Sequence, residues 1–388
     1  MMALLDLLLA LAAFIGHTAI AVYLFNRLHA ISWPRPIVKL LDRLIVLLAA
    51  LVVLVFIYRS VNEGCFAVDW RSGALDSQGL WLGYVALSWI AAVLVIPLWI
   101  VPKALSRVPA ALVANDTRIV DLAQCVQHPV EGLSARLLMA LPGNEVLKLH
   151  IQQKTLRLPR LPAELEGTTI AHLSDLHMTG DLTAGFYEQI VAETNALKPD
   201  LILITGDILE EHCCLPWGPK VLSKLRAKFG TYFILGNHEQ RLQDVRPLRA
   251  ALEKVGLIDV GGWSGRAMIY GNEVLLAGTE LPWFGQAPDC PPPGEDGTFR
   301  ILLSHSPDQI EWAKRHAFDL MLAGHNHGGQ IRLPWLGALI VPSRYGCRYA
   351  AGVFDEPPTL LHVTRGISGD HLVRLNCPPE LALLVLTR

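Results

Sequence analysis

Eight side chains able to hold a metal stand at the ends of short apolar runs. They are Asp175 and His177 in TTIAHLSDLH, Asp207 in PDLILITGD, Asn237 and His238 in GTYFILGNHE, His305 in FRILLSHSP, and His325 and His327 in FDLMLAGHNH. Carboxylate, imidazole and amide oxygen together suit Mn, Fe, Zn or Co rather than ions that seek thiolate. Eight such groups exceed one tetrahedral site and suffice for two cations sharing a carboxylate. Two cations about 3.5 to 4 Å apart clamp a phosphoryl group for in-line displacement, activating water and polarising the phosphoryl oxygens. Each fragment alone says little: Gly236-Asn237 is a common turn dipeptide, and His325-Asn326-His327 also suits a solvated loop. The signal is their order, each directly following a strand-like run.

Those runs hold four to six aliphatic or β-branched residues before a turn, which reads as buried strands. Patterns of helical period fall between them, at Phe186 to Leu197 and Lys220 to Phe229. Strand, loop and helix repeated in this way predict an α/β layer fold with functional side chains at strand ends. Glu273 to Leu276, Ile331, Leu339 to Val341, Thr359 to Val363 and Leu381 to Leu386 read as further strands without helices between them, which points to a second sheet packed on the first. His172 sits one strand position away from the ligand run and reads as structural. His316, His362 and His371 read as surface or core residues.

The chain has 388 residues, 52% of them apolar and 18% charged, with a mean hydropathy of +0.36. That is too apolar for an ordinary soluble protein. Residues 1–102 carry only 6 Lys/Arg and 5 Asp/Glu, so the apolar excess is concentrated there. Leu7 to Phe25 and Gly79 to Pro102 are uncharged runs long enough to cross a hydrocarbon core. Leu44 to Tyr58 is shorter, but Leu40, Leu41 and Val61 extend it if Arg43 and Arg59 snorkel. Three transmembrane helices are therefore expected, at about 7–25, 41–61 and 79–102. The first run lacks the basic start and small-residue cleavage site of a signal peptide. His17 and His29 lie in or beside it and read as packing or interfacial residues. A helical linker is expected over 103–143 and one globular domain over 144–388.

Arg27, Arg35, Lys39 and Arg43 crowd the first short loop, whereas Arg59 and Arg71 share the second with Glu63, Asp69 and Asp76. This bias puts the first loop, and everything after the third span, in the cytoplasm, with the chain in an inner membrane. A net charge of −2 without a basic run excludes the electrostatic footprint of a nucleic-acid binder. Seven cysteines form no CxxC, and the adjacent pair Cys213-Cys214 is poorly placed for a disulfide, so the count fits a reducing compartment.

DLH, GD, GNHE, a lone SH and GHNH, in that order, resemble the signature of the calcineurin-like metallophosphoesterases. GHNHGGQIRLP (324–334), the region of Tyr345 to Tyr349 and TRGISGDHLVRLNCPPELALLVL (364–386) resemble its bacterial membrane-anchored phosphodiesterase branch. The resemblance covers Leu158 onward, and the three-span N-terminus lies outside it. It implies a two-sheet αββα sandwich and a hydrolase with two divalent cations, manganese among the candidates. Asp175, His177 and His327 would hold the first cation and Asn237, His305 and His325 the second, with Asp207 bridging them. His238 would remain unligated, stabilising the phosphoryl oxygens or protonating the leaving group. Asn326 stands where a threonine is frequent in the family.

A soluble substrate needs no anchor, so three spans suggest a scissile phosphate at the bilayer surface. Cys213 to Trp217 and Leu281 to Phe284 are apolar for loops, which marks Trp217, Trp283 and Phe284 as expected cleft-rim contacts, and His212, just past Asp207, is a further rim candidate. Gly328 and Gly329 either cradle a phosphate through backbone N–H groups or make a tight turn. Relatives of this broad class hydrolyse UDP-2,3-diacylglucosamine in lipid A biosynthesis, which makes a phosphorylated lipid or nucleotide-lipid the expected substrate. The alternatives are a general phosphodiesterase on soluble substrates and a non-catalytic metal-binding membrane scaffold. The intact His238 speaks against the scaffold, which has no use for an unligated histidine.

Overall fold

The computed structural model describes residues 2–31, 33–62, 77–105, 108–294, 297–369 and 371–388. They form two compact units, Met1–Arg107 and Val108–Arg388. The second loop used in reading orientation, with Glu63, Asp69, Arg71 and Asp76, lies outside the described residues.

The first unit consists of α1 (Met2–His29), α2 (Arg35–Asn62) and α3 (Ser77–Leu105). Each contains a stretch long and apolar enough to cross a membrane: Leu7–His29, Pro36–Arg59 and Gly79–Trp99. Gly16 lets α1 and α3 touch, since a Cβ there would meet the Ser88 carbonyl oxygen at 1.7 Å. His17 is buried, and its ring nitrogens bond to Tyr84 Oη (2.6 Å) on α3 and the Ala49 carbonyl (3.1 Å) on α2. That is the helix-packing role expected of it. His29 stacks on Phe25 at 4.5 Å.

The second unit is an αββα sandwich. Its strands are β1 (Leu112–Asp121), β2 (Lys148–Arg157), β3 (Thr169–Leu173), β4 (Leu201–Thr205), β5 (Thr231–Ile234), β6 (Ile258–Asp259), β7 (Ser264–Ile269) and β8 (Asn272–Thr279). Beyond them come β9 (Phe299–Ser304), β10 (Leu320–Ala323), β11 (Arg332–Leu333), β12 (Gly337–Ala338), β13 (Gly352–Glu356), β14 (Thr359–Val363) and β15 (Glu380–Thr387). One sheet has the order β1-β2-β15-β3-β4-β5-β6, a second β13-β14-β10-β9-β8-β7, and β11-β12 is a separate two-stranded ribbon. The helices of this unit are α4 (Leu122–Cys125), α5 (Leu133–Met139), α6 (Ala184–Ala196), α7 (Gly218–Leu222), α8 (Arg246–Lys254) and α9 (Ile310–Arg315).

Strand alternation divides the apolar residues between layers. Leu201 and Leu203 of β4 join Leu320 and Leu322 of β10 between the sheets. Ile202 and Ile204 face outward onto Phe186 and Ile190 of α6 and Leu248 of α8. On the other side, Met321 and Ala323 pack with Ile310 and Ala313 of α9. Both faces of the central parallel strands are thus covered, which is why those strands read as continuous apolar runs.

Several segments depart from the sequence expectation. Leu339 to Val341, read as a strand, lies just beyond β12 and is not one, and Leu381 to Leu386 joins the first sheet as β15 rather than a second sheet. Where a helical linker is expected over 103–143, the second unit begins at Val108 and places β1 antiparallel to β2, with Val120 opposite Leu149. β1 is an edge strand with Val120 alone buried, so its polar exposed residues carry no alternation to read. The helical pattern at Lys220 to Phe229 stops at Leu222. Asn195 binds the Lys224 carbonyl through Nδ2 (2.8 Å) and accepts the Arg226 N–H through Oδ1 (2.8 Å), taking backbone groups that a helix would need.

Candidate metal centre

Parallel strands β3, β4 and β5 of the first sheet and β9 and β10 of the second deliver the eight side chains from their C-terminal ends. Asp175 and His177 follow β3, Asp207 follows β4, Asn237 and His238 follow β5, His305 follows β9, and His325 and His327 follow β10. Asp175, His177, Asp207, His305, His325 and His327 are buried. Five of them hold left-handed backbone, with φ of 54° at Asp175, 47° at His177, 51° at Asp207, 68° at His325 and 48° at His327. Such conformations are costly for residues other than glycine and gather where the surrounding fold enforces them for function. Neighbouring glycines make room, since a Cβ at Gly236 would lie 2.3 Å from Asp207 Oδ1 and one at Gly324 2.4 Å from Asp175 Oδ2.

Two groups of ligand atoms share one residue. Asp175, His177, Asp207 and His327 form the first; Asp207, His305 and His325 form the second, with the atoms of each group within 4.8 Å of one another. The Asn237 Oδ1 joins the second group, 3.0 Å from His305 Nε2. Asp207 Oδ1 accepts the His238 backbone N–H at 2.8 Å, while Oδ2 faces His305 Nε2 at 3.1 Å and His177 Nε2 at 3.7 Å. The structure thus brings together all seven expected ligands.

The tautomers suit cations. His177 Nδ1 donates to Glu210, His305 Nδ1 to the Thr205 carbonyl (2.7 Å), His327 Nδ1 to the Ser368 carbonyl (3.3 Å) and His325 Nε2 to the Pro342 carbonyl (3.0 Å). An imidazole whose one nitrogen is fixed by an acceptor presents the other as a lone pair. His177 Nε2 and His327 Nε2 then meet lone pair to lone pair at 3.1 Å, an arrangement that calls for an electrophile beside them. Burial also pushes the His325 and His327 pKa values well below the usual range and so keeps both rings neutral. At His305 burial is the largest effect and opposes charge, but Asp207 and Asp175 with the Thr205 bond outweigh it and raise the pKa to about 9. Asp207 is likewise opposed by burial, yet His305, His238 and His177 hold its carboxyl well below the usual range. Two divalent cations therefore fit this donor set.

His238 is partly exposed at the edge of the cluster, its Nδ1 2.9 Å from Glu210 Oε1. Glu210, fully buried, binds both His177 and His238 through Oε1 and Arg241 through Oε2. Sequence reasoning gave it no role, although its place three residues after Asp207 puts it on the same loop. Glu239 was also passed over. Its Oε2 accepts the Gly236 N–H (2.6 Å) and its Oε1 the N–H groups of Ile208 and Leu209 (3.0 Å for Leu209), tying the Asp207 loop to the Asn237 loop. Burial raises its pKa to about 7.

Of the expected rim residues, Trp283 joins the cluster, its ring 4.8 Å from His325 and 5.5 Å from His305. Phe284 packs against the outer core of the first sheet, as does Trp217, which lies 5.8 Å from Tyr187. His212 is exposed in a short turn. At Gly328 a Cβ would meet Cys377 Sγ at 2.6 Å, and at Gly329 the Ala338 Cβ at 2.4 Å, so the tight-turn reading accounts for both.

The chain is similar to known proteins. A family model described as calcineurin-like phosphoesterase matches residues 168–329. The metallophosphoesterase YkuE of Bacillus subtilis (strain 168) is 29% identical over 251 residues, covering 61% of this chain and 85% of that protein. Phosphodiesterase YaeI of Escherichia coli (strain K12) is 31% identical over 222 residues, covering 56% and 81% respectively. UDP-2,3-diacylglucosamine pyrophosphatase LpxG of Chlamydia muridarum is 27% identical over 286 residues, covering 59% and 86%.

Proposed function

The chain belongs to the calcineurin-like phosphoesterases and is a hydrolase, and we propose that it cleaves a phosphodiester or pyrophosphate bond in a lipid-linked substrate. The observation that carries the chemistry is Asp207, shared by two ligand groups beside a histidine that Glu210 orients. In this reading Asp175, His177 and His327 hold one cation, Asn237, His305 and His325 the other, and Asp207 both. The two cations, when bound, supply Lewis acidity at the phosphoryl group and an activated water.

The chain's own residues do the rest. The Glu210 carboxylate lies 2.9 Å from His238 Nδ1, which leaves Nε2 as the nitrogen to serve the substrate. At the edge of the cluster, His238 is placed to stabilise phosphoryl oxygens and to deliver a proton to the leaving oxygen. Arg241 holds Glu210 from its other oxygen, fixing the carboxylate plane. Trp283 walls the side of the site formed by His305 and His325 and limits water there.

Three helices of membrane length and the likeness to LpxG, whose name states a nucleotide-lipid substrate, support a lipid-linked substrate for this chain. UDP-2,3-diacylglucosamine is the leading candidate, and the charge bias of the first loop supports a catalytic unit on the cytoplasmic side of an inner membrane. The test compares the acylated substrate with its deacylated analogue in mixed micelles, with divalent metal supplied. A gain in kcat/KM from the acyl chains supports the reading. Equal rates leave a general phosphodiesterase, and no metal-dependent turnover of either substrate overturns the proposed reaction.

A further inference from the structure

The β11–β12 hairpin leaves the metal-ligand loop almost at once, with Arg332 opposite Ala338 and Leu333 opposite Gly337. Its base is well fixed. The Arg332 N–H donates to the Leu375 carbonyl (2.9 Å), and Asn376 Nδ2 donates to the Arg332 carbonyl (3.0 Å). Its tip is the reverse of a core element: Trp335 is 100% exposed, and Leu333, Leu336 and Ile340 around it are exposed as well. An indole held wholly in water on a rigid support has a large unrealised burial free energy, and clustered apolar exposure of this kind marks an interaction site.

A second apolar element rests on the same segment. Asn144 Nδ2 binds the Leu138 carbonyl at the end of α5 (2.9 Å) and the Leu372 carbonyl (2.8 Å). On α5, Leu133 and Leu137, one helical turn apart, are 74% and 62% exposed. The stretch from Leu320 to Phe354 contains no Asp or Glu, while Arg332 lies on the hairpin and Arg344, which donates to the Asp308 carbonyl, follows it. Trp and Leu beside arginine, on a stretch of chain without acid, is the composition that settles at the headgroup level of an anionic bilayer. The chain also carries three helices of membrane length.

We propose that the β11–β12 hairpin, with Trp335 at its tip, inserts into the headgroup region of an anionic lipid bilayer and seats the metal-ligand loop against the membrane surface. A prong of two short strands suits a fluid surface better than a flat protein partner. His327 lies only five residues before Arg332, so seating the hairpin brings the cluster to the bilayer without a large conformational change. The proposal rests on reading the N-terminal helices as membrane-spanning, and its test separates the two.

The full chain is reconstituted into vesicles of phosphatidylethanolamine and phosphatidylglycerol, with p-benzoylphenylalanine replacing Trp335 or, as control, Trp263. Trp263 is also exposed but lies beside β7, away from the hairpin in sequence. Irradiation should give phospholipid adducts on the peptide containing position 335, well above position 263. Replacing phosphatidylglycerol by phosphatidylcholine should lower the yield about fivefold, the weight of one arginine at an anionic surface. Adducts to another protein or to this chain, or a lipid yield equal to the control, overturn the proposal. Alkaline carbonate extraction is run alongside. A chain retained in the membrane without adducts at 335 sinks the hairpin alone, whereas release of the chain sinks the membrane reading and the hairpin with it. Unchanged turnover of a soluble chromogenic phosphodiester by Trp335→Ser checks that the fold tolerates losing the indole.

Discussion

His172 Nδ1 meets His362 Nδ1 at 2.9 Å in the middle of the sandwich, one ring from each sheet and both fully buried. Beyond them, His362 Nε2 faces Lys154 Nζ (2.9 Å), His172 Nε2 faces Thr205 Oγ1 (2.8 Å), and Lys154 pairs with Glu380. One assignment satisfies every contact: Lys154 donates to His362 Nε2, His362 Nδ1–H to His172 Nδ1, and His172 Nε2–H to Thr205. The Thr205 carbonyl in turn holds His305, so this chain of bonds ends under the candidate metal centre.

That assignment needs both rings neutral. Burial, helped by neighbouring positive groups, depresses the pKa of His172 well below its ordinary value and that of His362 to about 4. An unfolded histidine titrates near 6.5, so between there and about pH 4 the unfolded chain binds more protons than the folded one. Stability therefore falls as pH falls through that window, by up to about 1.4 kcal/mol per pH unit for each ring. Urea unfolding of the full chain at pH 5 and pH 7 should show a smaller difference for His362→Gln than for the wild type. An undiminished difference would remove His362 from the account.

Asp207→Asn should lose both metal and activity, because one substitution takes charge from both ligand groups. His238→Ala should keep two metals per chain and lose on the order of 10²-fold or more in turnover, the usual size of a general-acid or electrostatic contribution. Elemental analysis of the two purified variants decides it. Equal metal loss in both means that His238 is a ligand.

Glu210→Gln should differ from both. The carboxylate holds His177 as well as His238, so the variant should lose part of its metal together with about 10- to 100-fold in metal affinity or activity, the range for groups that orient a ligand. Full metal content with full turnover would leave Glu210 no orienting role.

Protein stripped with chelator should release protons when it takes up Mn at pH 7.5. With its pKa at about 9, His305 is protonated there, and it must be neutral to ligate. Calorimetry in two buffers of different ionisation enthalpy counts the protons, and one or more per chain is expected. Activity should vanish on stripping and return with Mn. No proton release would show that His305 does not exchange its proton for a cation.

The clustering of the candidate donors was legible because each follows a run of buried aliphatic residues, and burial on both faces leaves a signal that needs no partner to be read. β1 was not legible, since an edge strand gains its structure from β2 rather than from its own pattern. Glu210 and Glu239 escaped notice because a loop carboxylate looks alike in sequence whether it faces water or ties two loops together. The bonds joining Lys154, His172, His362 and Glu380 escaped for another reason. They span about 200 residues, and nothing local in β2 tells its lysine apart from an exposed one.

β15 stands between β2 and β3, pairing Leu381 with Ile151 on one side and Leu383 with Ala171 on the other. Both partners lie more than 200 positions away in sequence. Until that strand arrives, the first sheet exists as two pieces, a ribbon of β1 and β2 and a parallel array of β3 to β6, each with an open edge. A two-stranded ribbon alone is marginal, and closure over so long a loop is slow. The order of assembly follows: the parallel array that carries Asp175, Asp207 and Asn237 can collapse early, while the pairing of Lys154 on β2 with Glu380 on β15 forms only at the end. In the interval the bare edges of β2 and β3 are the places where a nascent molecule is open to mispairing with another chain.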